Sequence, residues 1–86
     1  MLADQPQWIS TARQALGRRI AGARVDASLT QEKLAERAGI DRSTIQRIEL
    51  GQNDARFSHL LLIASALELP LRELIPEGCE AAGRGD

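Results

Sequence analysis

Four side chains that can hydrogen-bond to nucleic-acid bases recur at helical spacing near the middle of the chain. They are Arg42, Ser43, Gln46 and Arg47. If this segment is helical, they lie opposite the apolar pair Ile45 and Ile48. Arginine can make paired hydrogen bonds to guanine O6 and N7, and serine and glutamine can bond several base edges in the major groove of DNA. The spacing alone fits an ordinary solvated helix surface equally well.

The helix that would carry this face has both of its ends marked in the sequence. Asp41 is a good N-cap, and Ile40 and Ile45 occupy the two positions of a hydrophobic staple around it. Gly51 follows as a C-terminal stop. These signals predict a short helix that begins after Asp41 and ends before Gly51.

The segment just upstream repeats the same signals. Thr30 is the expected N-cap, Leu29 and Leu34 are the staple residues, and Gly39 ends the helix. The inward face of this helix is expected to consist of Leu34, Ala35 and Ala38. Two short helices joined by a glycine-containing turn are an arrangement that suits inserting the second helix into the major groove.

A longer amphipathic helix is predicted before this pair, from its expected N-cap Ser10 to about Ala27. Its apolar residues recur at helical spacing, with arginines on the other face, and are Ala12, Leu16, Ile20 and Ala23. Gly17 and Gly22 each weaken a helix by about 1 kcal/mol relative to alanine. Their presence indicates either a weakened helix or places where another helix approaches closely.

Two further helices are predicted downstream. The first spans Phe57 to Leu67, and its inward residues are expected to be Leu60, Leu61, Ala64 and Leu67. The second is short and lies between Pro70 and Pro76, with the apolar residues Leu69, Leu71, Leu74 and Ile75. The sequence therefore predicts an all-α fold. It is divided into a flexible segment at 1–9, one domain at 10–76 and a flexible acidic tail at 77–86.

Composition and charge set the class of protein only loosely. The chain has 86 residues, of which 43% are hydrophobic, and Trp8 and Phe57 are its only aromatic residues. This is one small domain whose core must be built from many aliphatic contacts. The net charge is −1, but residues 10–66 hold nine basic and six acidic residues, whereas residues 67–86 hold two basic and five acidic ones. A mildly basic body with an acidic tail fits a nucleic-acid partner and ordinary solvated faces about equally.

Several other classes find no support in the sequence. The single cysteine, Cys79, excludes an internal disulfide and any metal site built from several cysteines. No apolar run approaches the ~20 residues needed to span a bilayer, and no signal-peptide pattern precedes the domain, so we expect a cytoplasmic protein. His59 has no second ligand nearby in sequence and is expected at the surface. We therefore expect neither an enzyme nor a cofactor.

The tripeptide Arg84-Gly85-Asp86 has the same letters as an integrin-binding motif, but nothing else in the sequence supports that function.

Two strings in the chain resemble a known family. LTQEKLAERAGIDRSTIQRIELG at residues 29–51, followed by LLLIASAL at residues 60–67, is similar to the Xre/Cro-type helix-turn-helix domain of phage repressors and small bacterial regulators. The resemblance covers about residues 12–75, and its apolar positions, cap, turn glycine and terminal Glu-x-Gly all coincide. It implies a compact, lambda-repressor-like bundle of five helices whose third helix reads the major groove.

The resemblance also implies roles for individual side chains. Base contacts map to Arg42, Ser43 and Arg47, with Gln46 on the same face. Phosphate contacts map to Gln31 and Thr44 in the first turns of helices two and three, and with weaker support to Asn53 and Arg56. For Thr44, support of the helix cap is a competing role.

Glu49 is unusual on a helix expected to face phosphates. In the family the corresponding position pairs with an arginine of helix one, which maps to Arg24. An Arg–carboxylate pair of this kind would hold helix three to helix one and remove the charge from the DNA-facing surface.

The chain departs from the family pattern at three places. Arg56 stands where a small hydroxyl cap is usual, so Asp54 is the alternative cap for helix four, and Glu68 stands where glycine is frequent. Leu62 occupies a commonly charged, exposed position. Together with Leu69, Leu71 and Ile75 it predicts a self-association patch on helices four and five.

These observations lead to one favoured function and one alternative. We expect sequence-specific binding to double-stranded DNA by a homodimer that recognises a palindromic operator, because two half-sites supply affinity that one small domain lacks. Repression by occluding a promoter is the simplest mechanism for so short a chain. The alternative is a protein-interaction module, such as the antitoxin of a toxin–antitoxin pair, that contacts a protein partner.

Overall fold

The computed structural model describes residues 5–77, and within this range the fold is all-α. The α-helices are α1 (Gln7–Asp26), α2 (Gln31–Ala38), α3 (Arg42–Glu49) and α4 (Phe57–Leu67). A one-turn 3-10 helix, Leu71–Glu73, follows them. The expected fold class is confirmed, and the expected count of five α-helices is one too many among these residues. The expectations for Cys79 and for Arg84-Gly85-Asp86 lie outside the described residues.

The last predicted helix is a single 3-10 turn because two prolines bound a very short segment. Pro70 occupies the N-cap position, and the amides of Glu73 and Leu74 donate to carbonyls three residues earlier, each at 2.9 Å. Bonds of this type tighten the chain into a 3-10 turn, which is common in short pieces of this length. The turn nevertheless buries Leu74 completely and so closes one end of the core.

Helix α1 begins four residues earlier than the sequence signals predict. Its N-cap is Pro6, which makes no side-chain cap hydrogen bond, and Ser10 lies inside the helix. The Pro6 carbonyl accepts a hydrogen bond from the Ile9 amide at 3.0 Å, and proline has no N–H of its own to leave unsatisfied at the helix start. The expected cap at Ser10 is wrong, and residues 7–9 of the segment expected to be flexible belong to α1.

The ends of α2 and α3 match the sequence signals closely. The Thr30 side chain accepts a hydrogen bond from the Lys33 amide at 3.0 Å, and the Asp41 side chain accepts one from the Thr44 amide at 3.3 Å. Gly39 and Gly51 follow the two helices with φ of 71° and 75°, a left-handed conformation that glycine adopts without steric cost. The predicted turn between α2 and α3 is confirmed.

The core is assembled from every helix. Its fully buried large side chains are Ile20, Leu34, Ile45, Ile48, Ile63 and Leu74. Ala64 and Leu67 of α4 are buried as expected, but Leu61 is 46% exposed. Ile63, which was not expected to face inward, is fully buried instead. Helix α4 is apolar on nearly all sides, so its periodicity does not distinguish the face that packs on α2.

The contact between α1 and α3 depends on one glycine. A Cβ atom on Gly17 would lie 2.6 Å from the Ile48 carbonyl oxygen and closer still to that of Glu49. Only glycine permits α1 to approach the last turn of α3 so closely. A Cβ atom on Gly22, five residues on, would have nothing within 4 Å. Another helix therefore approaches α1 closely at Gly17 but not at Gly22.

Helix α4 ends in a conformation that its sequence tolerates poorly. Glu68 has φ 58° and ψ 42° at the C-cap, a left-handed conformation that carries a steric cost for any residue with a Cβ. This is the position at which the family pattern favours glycine. The chain therefore has the left-handed backbone conformation of that pattern, but without the glycine that would remove its steric cost.

Candidate nucleic-acid interface

Helix α3 carries apolar residues on one side and four exposed polar residues on the other. Ile45 and Ile48 are buried, and the four candidate base-reading residues on the other side are exposed: Arg42, Ser43, Gln46 and Arg47. The helix has eight residues, which at 1.5 Å per residue makes it about 12 Å long. A helix with its side chains is about 10–12 Å across, which the ~12 Å wide major groove admits, so this short helix can place its polar face in one groove.

The N-terminal end of α3 is organised around the Asp41 carboxylate. Oδ2 accepts hydrogen bonds from the hydroxyls of Thr44 at 2.8 Å and Ser43 at 2.9 Å, besides the Thr44 amide. The Thr44 hydroxyl, followed by that of Ser43, holds the pKa of Asp41 below its ordinary value. Because the Thr44 hydroxyl donates its single proton to Asp41, Thr44 supports the helix cap in this structure. Cap support was the alternative to a phosphate contact at this residue.

Two of the candidate base-reading residues touch each other. Nη2 of Arg47 lies 3.4 Å from Oγ of Ser43, one helical turn away. Ser43 donates its proton to Asp41 and therefore offers Arg47 an acceptor. The contact is long for a hydrogen bond, and it leaves most of the guanidinium donors of Arg47 free for a ligand.

Helix α3 is fixed to α1 by the expected ion pair. Nε of Arg24 donates to Oε2 of Glu49 at 2.7 Å, and Nη2 donates to Oε1 at 3.1 Å. Nη1 of the same arginine donates to the Leu29 carbonyl at 2.8 Å. The Glu49 side chain is only 5% exposed, so its charge is neutralised in the interior and does not lie on the exposed polar face of α3.

Gln31 joins this network, which the sequence did not indicate. Its Nε2 donates to Oε1 of Glu49 at 2.9 Å, and this fixes the start of α2 against the end of α3. A carboxylate partner also assigns the orientation of the amide, because only the NH₂ side can donate. Gln31 is half-buried and retains one N–H that is not used in this bond.

The loop between α3 and α4 holds the remaining phosphate candidates. Asn53 is half-buried and Arg56 is exposed. Asp54 does not cap α4: its Oδ1 accepts a hydrogen bond from Nη1 of Arg13 at 3.0 Å. The N-cap is Arg56, whose side chain makes no cap hydrogen bond. Sequence reasoning missed Arg13, since nothing local connects residues that are 41 positions apart.

Helix α4 exposes three large apolar side chains. Phe57, Leu61 and Leu62 are 65%, 46% and 45% exposed, and we refer to them as the exposed α4 residues. Leu62 is therefore outward as expected, and Ile75 is also exposed. Leu69 and Leu71, by contrast, pack against the core, so the expected patch on α4 and the final turn is smaller than the sequence indicated.

The expectation of a surface histidine is only partly met. His59 is half-buried, and its Nδ1 is buried without a hydrogen-bond partner among the residues described. Within residues 5–77 no group of three or more His, Cys, Asp or Glu side chains could hold a metal ion. No helix in this part of the chain is long and apolar enough to cross a membrane.

The geometry described so far agrees with comparison to known proteins. The family model described as helix-turn-helix, the Xre/Cro-like type, matches residues 20–74. The chain belongs to this helix-turn-helix family. With its exposed polar face on α3, the helix-turn-helix chain is a DNA-binding transcriptional regulator.

Solved structures of other helix-turn-helix regulators have the same fold. The restriction-modification controller protein C.AhdI from Aeromonas hydrophila is 34% identical, with a TM-score of 0.75 over 76% of this chain and 98% of that one. The hypothetical transcription factor NHTF from Neisseria is 24% identical, with a TM-score of 0.74 over 95% and 93% of the two chains. The clp gene regulator ClgR from C. glutamicum is 24% identical, with a TM-score of 0.70 over 95% and 97%. The last two show likeness of fold alone, and among curated proteins none matches the sequence significantly.

Proposed function

We propose that this helix-turn-helix regulator binds a specific palindromic operator as a homodimer and represses transcription by occluding the promoter. The observation that carries the proposal is the exposed face of α3, on which two arginines, a serine and a glutamine stand clear of a fully apolar inner side. A face of this composition makes hydrogen bonds to base edges.

In the proposed complex the base-reading residues are Arg42, Ser43, Gln46 and Arg47. Arginine pairs best with guanine, so G·C pairs are expected within each half-site. The 3.4 Å contact between Arg47 and Ser43 is long for a hydrogen bond, so the Arg47 guanidinium can turn toward a base edge.

Phosphate contacts hold α3 in register with the groove. Gln31 and Thr44 stand in the first turns of α2 and α3, where backbone N–H groups and the helix dipole favour an anion. Asn53 and Arg56, in and after the loop that follows α3, are the further phosphate-contacting residues. Thr44 would contribute its backbone amide or a reoriented hydroxyl, because its proton bonds Asp41 in the free protein.

Homodimer formation is assigned to α4 and the final turn, including Leu62. The exposed α4 residues form an apolar surface of the kind that marks a protein–protein contact. Two copies related by a two-fold axis would present two α3 helices to half-sites about 34 Å apart. In the alternative function, an antitoxin-like protein-interaction module, a different protein would bind this surface.

The test is selection from a pool of randomised duplex DNA, followed by affinity measurements on the selected duplex at two salt concentrations. Enrichment of a palindrome with affinity that falls as salt rises would support the proposal, because phosphate contacts release counterions. Enrichment of a single unpaired half-site would overturn the dimeric part. Absence of enrichment would overturn specific recognition and favour the protein-partner alternative, which copurification of a neighbouring gene's product would then identify.

A further inference from the structure

Arg13 is the first charged residue of α1, and it lies outside the span that the family model matches, which begins at residue 20. Its Nη1 donates to Oδ1 of Asp54 at 3.0 Å, and the two side chains are 27% and 65% exposed. The bond joins the N-terminal half of α1 to the loop that immediately follows the recognition helix. The family resemblance assigns no role to this contact.

The position of Asp54 raises an electrostatic problem for DNA binding. The loop after α3 offers Asn53 and Arg56 to phosphates, yet Asp54 stands between them in sequence. A carboxylate there repels phosphate oxygens and cancels the charge of Arg56. At about 8 Å from a phosphate, one full charge changes affinity roughly twofold in water, and low salt preserves most of this effect.

Arg13 supplies the compensating charge from a fixed position. A Cβ on Gly51 would lie 2.8 Å from the Gln14 side chain and 2.9 Å from its Cα atom, so α1 presses directly on the start of the loop. Arg13 and Asp54 also line one small cleft together with Leu16, and Nε of Arg13 is buried. The guanidinium therefore reaches Asp54 from a rigid helix.

We propose that Arg13 is a positioning residue of the DNA-binding surface. It neutralises Asp54 and fixes the loop so that Asn53 and Arg56 can meet phosphates without a competing negative charge. Arg13 acts through Asp54 and does not itself contact DNA. This inference rests on the proposed function, and it extends the functional surface of the chain to a residue upstream of the family match.

The experiment is a double-mutant cycle on the duplex selected with the wild-type protein, measured at low salt. Arg13→Gln is expected to weaken binding at least about twofold per domain, because the charge of Asp54 is uncovered. Asp54→Asn is expected to tighten binding by roughly the same factor. The double variant should bind like the wild type, since removing both charges leaves the same net charge at the loop as the intact pair.

The direction of the Asp54→Asn effect separates this proposal from simpler ones. If the ion pair were only a structural tie, both single variants would weaken binding. If Arg13 itself held a phosphate, its loss would cost more than Asp54→Asn gains, and the double variant would bind more weakly than the wild type. Either result would overturn the proposal.

Two controls keep the result interpretable. The first control is thermal melting, which should show all three variants folded because an exposed ion pair contributes little to stability. The second is Arg19→Gln, which makes the same charge change about two turns further along α1. Wild-type binding with no difference among the variants would overturn this inference alone. Failure of the wild-type protein to bind any DNA would overturn it together with the proposed function.

Discussion

Arg24 and Glu49 join the end of α1 to the end of α3 through two parallel hydrogen bonds of 2.7 Å and 3.1 Å. The pair is largely shielded from water, with Glu49 5% and Arg24 15% exposed. Glu49 also accepts from Gln31, so one carboxylate receives three donors from two other segments. Fixing α3 in this way stabilises the fold and sets the orientation of its exposed face.

Replacing Arg24 by alanine should destabilise the protein by about 3 kcal/mol, because Glu49 is left buried with only Gln31 as a donor. In a domain of this size the melting temperature should fall on the order of 10 °C or more. The measurement is thermal unfolding followed by circular dichroism. Arg19→Ala, an exposed arginine on the same helix, is the control and should melt near the wild type. A melting temperature unchanged in Arg24→Ala would refute a structural role for the pair.

The two glycines inside α1 should respond to alanine in opposite directions. Gly17→Ala forces a Cβ against the last turn of α3, so we expect a loss of at least about 2 kcal/mol from strain and displaced packing. Gly22→Ala meets nothing within 4 Å and should gain about 0.5–1 kcal/mol from higher helix propensity. Urea unfolding of both variants measures the two effects. Equal responses at the two positions would contradict the close approach of α1 and α3.

The cap at Asp41 should make stability depend on acid pH. Its pKa is lowered in the folded protein by the Thr44 and Ser43 hydroxyls. The Asp41 carboxylate therefore contributes its full share to folding stability above its unfolded-state pKa, about 3.9. This contribution is lost as the pH falls through the lower folded-state pKa. Asp41→Asn keeps an acceptor at the cap but does not titrate.

The melting temperature of wild type should exceed that of Asp41→Asn at neutral pH, and the difference should shrink below about pH 4. Thr44→Val removes the largest cause of the shift, so in its background the same difference should be smaller. A difference in melting temperature between wild type and Asp41→Asn that stays constant from pH 7 to pH 3 would show that the carboxylate charge does not contribute to stability at this cap.

Arg47→Ala should weaken binding to the selected duplex by about 1–3 kcal/mol and relax the base preference at one position of each half-site. Arg72→Ala removes the same charge from the final turn after α4 and should leave the base preference unchanged. The measurement is affinity for the selected duplex and for single-base variants of it. If Arg47→Ala binds all these duplexes uniformly more weakly, Arg47 contacts phosphate and does not read a base.

Leu62→Glu should dissociate the proposed homodimer, because a carboxylate enclosed in an apolar contact loses its hydration. We expect its dissociation constant to rise at least about tenfold, as for truncation of a central interface residue. Sedimentation at micromolar concentration, with and without DNA, provides the readout. Val25→Glu alters an exposed apolar residue of α1 and serves as the control. A wild-type protein that is monomeric under both conditions would contradict the dimer.

Local signals account for most of what could be predicted of the fold. The caps at Thr30 and Asp41 and the turn glycines Gly39 and Gly51 act within one helical turn, so their effect is readable from adjacent letters. Where local signals compete, prediction was poorer: Ser10 is a good cap, yet Pro6 starts α1. The apolar α4 likewise allows more than one inward face, and packing on α2 selects Ile63 over Leu61.

By itself, the sequence determined an all-α helix-turn-helix domain with a polar outer face on α3, because spacing within one helix fixes which residues share a face. Only the tertiary structure decided which distant side chains meet. It paired Gln31 with Glu49 across 18 residues and Arg13 with Asp54 across 41, contacts that depend on the angles at which whole helices pack. Those angles are set by the fit of buried side chains and by the close approach at Gly17, and no local pattern encodes them.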